Sequence, residues 1–141
     1  MSLLVTHATK TVTTTSGTET MLVRVTAPSN HKVQVRVRVH NKSSTPGVVA
    51  YLKRGATGGT LDTELLAKIN AQDTETVQSS AKGFTANAAP TGGTVVDQAW
   101  VAGSGSREFR VVKLNGGETI TVSALSSGAT ADIETEIDVD E

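Results

Sequence analysis

The chain of 141 residues has no cysteine, three prolines and only four aromatic side chains, Trp100, Tyr51, Phe84 and Phe109. Without cysteine there are no disulfide staples, thiolate metal centres or cysteine nucleophiles, so stability has to come from packing. Few aromatics leave little to line a large apolar pocket or to stack on sugars and bases. An excess of one charge is also lacking: 13 Lys and Arg face 14 Asp and Glu, a formal net charge of -1. No global field therefore draws the protein to nucleic acid or to an anionic membrane. No apolar run approaches membrane-spanning length, and the start, Met1 to His7, lacks the basic and apolar regions of a secretory leader. The expectation is a soluble protein made in the cytoplasm, with neither nucleic acid nor membrane as partner.

What the chain does have is Thr, Val, Ala and Gly, a composition suited to β-branched packing. Lys32 to His40 alternates strictly, with Val33, Val35, Val37 and Val39 on one face and polar or basic residues on the other, the mark of a strand buried on one side. Pro28-Ser29-Asn30 precedes this strand and the turn-forming stretch Asn41 to Gly47 follows it. Residues 19–26 and 47–54 read as further strands, and residues 4–14 as a first strand at a sheet edge. Residues 61–69 are ambiguous, because Leu61, Leu65, Leu66 and Ile69 also fit helical spacing; a strand or one short helix is expected. Segments 83–88, 94–102, 107–114, 118–125 and 129–139 are expected strands, separated by Gly92-Gly93, Gly103-Ser104-Gly105 and Asn115-Gly116-Gly117. The fold class is all-β: a β-sandwich, jelly-roll-like, of about nine or ten short antiparallel strands. It divides into an N-terminal arm or edge strand, 1–15, and a single sandwich domain, 16–141.

The last strand alternates acids with Ile, Thr, Ile and Val from Asp132 to Asp140, mirroring the basic alternation of residues 32–40. As sheet neighbours, the two would form opposite-charge cross-strand pairs; apart, they leave a basic and an acidic stripe for partner subunits. The sequence leaves that choice open.

No motif for chemistry stands out. His7, His31 and His40 have no spacing that makes a metal pair on one strand face and read as surface residues at strand ends. There is no Gly-x-Ser-x-Gly elbow and no phosphate-binding glycine motif, so the glycines read as turns and no enzyme is expected. Asp138, Asp140 and Glu141 lack a calcium-loop pattern and read as a solvated acidic tail. Arg24, Lys32, Arg36 and Arg38 have no interleaved aromatics for nucleic acid. Trp100 is expected to anchor the core. No catalytic residue, cofactor or metal is therefore assigned. The residues expected at a protein interface are Val5, Thr11, Val12, Thr13, Arg36, Arg38, Glu134 and Glu136.

The Thr-rich start Thr9-Lys10-Thr11-Val12-Thr13-Thr14-Thr15, the stretch Thr85 to Gly93 and the turn and strand Leu114 to Val122 resemble the decoration or cement proteins of tailed-bacteriophage heads. The resemblance implies a jelly roll or related sandwich and assembly as a homo-oligomer, dimer or trimer. It also implies a non-enzymatic role on the capsid exterior, assembled in the host cytoplasm, where the protein clamps neighbouring subunits of the major capsid protein and stabilises the shell. An exposed edge suits strand addition to such a partner, and residues 4–14 are expected to become ordered on binding. Alternatives are a tail or head-fibre domain, or a carbohydrate-binding or adhesin-type sandwich module, against which the few aromatics argue.

Overall fold

A computed structural model describes residues 4–141, and among them there are twelve strands and no helix. The strands are β1 (Val5–Thr13), β2 (Thr20–Thr26), β3 (Val33–Asn41), β4 (Val48–Arg54), β5 (Leu61–Glu64), β6 (Ala67–Lys68), β7 (Ser80–Phe84), β8 (Thr94–Val101), β9 (Ser106–Glu108), β10 (Val112–Leu114), β11 (Thr119–Ser126) and β12 (Asp132–Asp140). They form two antiparallel sheets. The front sheet runs β10-β3-β12-β1-β6, with β9 also on β3, and the back sheet runs β5-β7-β2-β11-β4-β8.

The alternating strands bury one side each. Val33, Val35, Val37 and Val39 of β3 and Ile133, Ile137 and Val139 of β12 share one core with Val25 of β2, Leu52 of β4 and Val122 of β11. The two inner faces therefore close on each other as a β-sandwich. Most successive strands change sheet, so the chain repeatedly crosses the core.

Several expectations change in detail. The segment 61–69 forms no helix but two short strands, one in each sheet, because Leu65 and Leu66 lie where the chain crosses over and pack against the core from its rim. The expected strand 83–88 lies earlier, at Ser80–Phe84. The segment 107–114 is split: β9 and β10 both pair with β3, but their registers differ by one residue, so Phe109–Val111 hold a bulge. These short pieces raise the strand number to twelve. β1 is no free arm. All nine of its residues pair with β12, and Leu4 and Ala8 are buried in the sandwich.

Trp100 is not a core anchor, since it is 58 % exposed. It lies on β8, the last strand of the back sheet, where Ala99 and Val101 are the residues that turn inward. The indole instead lies across Gly47, where a Cβ would collide with its ring. Glycine at that position is what lets the ring lie flat against the neighbouring backbone.

Candidate interaction surface

β12 settles beside β3, so the acidic and basic alternations meet within one chain. The register places Glu134 opposite His40, Glu136 opposite Arg38 and Asp138 opposite Arg36. On the other side of β12, Thr11 stands opposite Glu134, Thr9 opposite Glu136 and His7 opposite Asp138. Because side chains alternate along each strand, these residues share the outer face of the front sheet as a grid of charged and hydroxyl groups.

Contacts run both along and across the rows. Arg38 lies 3.9 Å from Glu136 and 3.5 Å from Glu108, and Arg36 lies 3.6 Å from Asp140. His40 Nε2 sits 3.0 Å from Glu136 Oε1, and His7 Nδ1 sits 2.6 Å from Asp138 Oδ1. His40 stands next to the end of β3 and His7 is the third residue of β1, and both belong to the grid; His31 lies in a turn beside Asn30. Asp138, Asp140 and Glu141 do not gather into a cation site. Asp138 faces His7 and Asp140 faces Arg36, while the Glu141 carboxylate accepts the backbone N–H of Gln78 and Ser79 and the Ser79 hydroxyl.

Of the residues expected at an interface, Arg36, Arg38, Glu134 and Glu136 lie at the centre of this grid, with Val5, Thr11 and Thr13 at its margin on β1. Thr13 donates its hydroxyl to Asp132 at 2.5 Å. Val12 turns the other way and packs against the core.

The outer edge of β1 is only partly covered. Glu141 donates to the Leu4 carbonyl and Thr14 to the Ala131 carbonyl, so even-numbered residues direct their backbone groups to β12. Odd-numbered residues point the other way: the Val5 carbonyl accepts from Ile69, and His7 pairs with Ala67 of β6. Among the described residues, the backbone groups of Thr9 and Thr11 beyond β6 meet no strand, and the Thr13 carbonyl accepts the Asn87 amide at 2.9 Å. The β8 edge of the back sheet is blunted. The Trp100 carbonyl on β8 accepts Arg107 Nε at 3.3 Å, and Asp97 holds the Arg110 backbone at 2.9 Å.

The outer face of the back sheet is polar in its middle and apolar at one end. Lys53 and Glu19 pair at 2.8 Å, and Ser123 donates to the same Glu19. Leu125, Val49 and Trp100 form an apolar row across β11, β4 and β8. Sequence reasoning missed this row and Thr9. The parity of β8 would have revealed Trp100 only if its sheet position were known, whereas Thr9 shares the alternation of Thr11 and Thr13.

At the rim, the Glu64 carboxylate accepts the backbone N–H groups of Leu65, Leu66 and Ala81 at 2.8–3.1 Å, tying the β5–β6 crossover to β7. Partial burial pushes this carboxyl up, but hydrogen bonds from Ala81, Ser80, Leu66 and Leu65 together outweigh it and hold the group below the ordinary carboxylate range. A folded value below the unfolded one gives stability that is present above the unfolded value, about 4.3, and lost as pH falls towards the folded value. Glu64→Gln should therefore lower the melting temperature at pH 7, with the gap to wild type closing below about pH 4. Melting curves recorded from pH 7 to pH 3 check this; a pH-independent gap would assign the effect to packing alone.

Comparison of the chain with protein-family models, with curated proteins and with solved structures finds no match.

Proposed function

We propose that this chain is a non-enzymatic structural protein of a phage virion, bound on the capsid exterior between subunits of the major capsid protein, which it stabilises. The observation that carries the reading is the half-covered β1 edge, where Thr9 and Thr11 offer backbone donors and acceptors to an extended segment of a partner. Lys10 supports a selective contact. It turns inward beside Gly83 of β7, and inward charges on edge strands discourage indiscriminate stacking of copies. On the front face His7, Arg36, Arg38, His40 and Lys42 each lie beside a carboxylate. The hollow among Arg36, Arg38, Glu108, Glu136 and Asp138 measures about 60 Å³, room for a few waters. Many identical contacts on a repeating shell give avidity, so each can be modest. Assembly as a dimer or trimer belongs to the same reading and is measured by light scattering of the eluted protein.

Thr11→Pro tests the edge. The Thr11 N–H points away from β12, so proline removes an outward donor without breaking the β1–β12 ladder. The variant should keep the wild-type circular-dichroism spectrum and bind capsid shells about tenfold more weakly in co-sedimentation, the loss of about 1.4 kcal/mol. Equal occupancy of shells by variant and wild type would remove β1 as the contact. One observation favours a carbohydrate-binding module instead: the open face of the Trp100 ring, which a sugar could stack on. A glycan array on wild type and Trp100→Ala separates the two readings.

A further inference from the structure

The outer face of the front sheet brings together one imidazole and two carboxylates, all metal-ligating groups. One donor atom each from His40, Glu134 and Glu136 lies within 4.8 Å of the others, and all three residues are half-buried. The anchors are fixed by the strand pairing, since His40 is directly opposite Glu134 and Glu136 follows two residues along β12. His40 Nε2 and Glu136 Oε1 are 3.0 Å apart. That is close to the roughly 3.3 Å edge of a tetrahedron built on metal–ligand bonds of about 2.0–2.1 Å. One edge of such a shell is therefore already near its length, and the Glu134 carboxylate, within 4.8 Å of the other donors, closes the set by a side-chain rotation.

The donor set also selects. One imidazole and two carboxylates suit Zn²⁺ and similar borderline ions, whereas Ca²⁺ and Mg²⁺ favour all-oxygen shells with more ligands. At the site each carboxylate has one cationic neighbour, Arg38 beside Glu136 and Lys42 beside Glu134, and a bound cation would take the place of these. The competing cations are loosely held. Arg38 is 3.9 Å from Glu136 and Lys42 is 4.0 Å from Glu134, and both side chains are about half exposed. Swinging them into water costs little.

We propose that His40, Glu134 and Glu136 form a binding site for a divalent transition metal of the Zn²⁺ type, with water completing the shell, so that the ion ties β3 to β12. Isothermal titration of the intact chain with zinc chloride should show one saturable site per chain, with calcium and magnesium chlorides binding far more weakly. His40→Ala and Glu134→Gln should each weaken zinc binding about tenfold or more, whereas His7→Ala and His31→Ala should not. Zinc should raise the melting temperature of the wild type and leave that of His40→Ala unchanged, because binding only the folded state stabilises it. The circular-dichroism spectrum of each variant shows that it is folded. Absence of saturable zinc binding, or binding that survives both His40→Ala and Glu134→Gln, would overturn the site.

Discussion

A chain lacking residues 1–14 should not fold. β1 contributes nine residues to a continuous ladder with β12, and it lies between β12 and β6 within the front sheet. Its removal uncovers the edge of a strand whose Ile133, Ile137 and Val139 are fully buried. It also removes the buried side chains of Leu4, Thr6 and Ala8 and the Thr14 hydroxyl, which bonds to Ser126 and accepts the Ala131 N–H. Burying a side chain such as Leu4 stabilises by about 1.5–3 kcal/mol. Each ladder hydrogen bond adds about 1 kcal/mol net. Summed over nine paired residues, the loss is comparable with the whole stability of a domain this size, about 5–15 kcal/mol. The truncated chain should lack a cooperative thermal transition and a β-type circular-dichroism spectrum. A synthetic peptide of residues 1–15, added in excess, should restore part of both by reoccupying the vacant edge. If the truncated chain melted cooperatively near the wild-type temperature, β1 would be an appended arm and its register along β12 would be wrong.

The elements that could be read from the sequence are those where one local signal suffices. Two-residue alternation at 32–40 and 132–140 fixes β3 and β12 and their buried faces, because a strand with one wet side has no other way to arrange its valines and isoleucines. What local pattern cannot supply is neighbourhood. Whether the basic and acidic strands meet depends on pairing residues about a hundred positions apart, as in Glu136 with Arg38. The outward face of Trp100 is hidden for the same reason: a large hydrophobe belongs in the core only if its parity points there, and which parity points inward is set by the pairing of β8 with β4. Leu65 and Leu66 look helical in spacing because a crossover between sheets buries two adjacent residues at the rim, a pattern with neither strand nor helix period. The surface residues of the front face were legible as candidates, since exposed charges on alternating strands announce themselves. Their convergence at His40 was not, because it arises from register.

Reversing the basic row, Arg36→Glu with Arg38→Glu, should destabilise the domain through that register. In the wild type each arginine stands opposite a carboxylate of β12, Arg36 opposite Asp138 and Arg38 opposite Glu136, and Arg38 also lies 3.5 Å from Glu108 on its other side. Cross-strand opposite-charge pairs contribute a few tenths to about 1 kcal/mol each, and like charges directly opposite cost a similar amount. These arginines are about half exposed, so solvent screening keeps the effect at the lower end, and the double reversal should cost about 1–3 kcal/mol. Urea unfolding at low ionic strength should show this as a lower midpoint with an unchanged slope, the sign that stability and not compactness has altered. The electrostatic origin makes two further demands. At 1 M salt, where the screening length is about 3 Å, most of the difference should vanish. Adding Glu136→Arg and Asp138→Arg should recover much of the midpoint at low salt, because opposite charges again face each other across the same two pairs. A midpoint unmoved by the double reversal would mean that these charges are held apart by water and that the valines and isoleucines beneath them set the register alone.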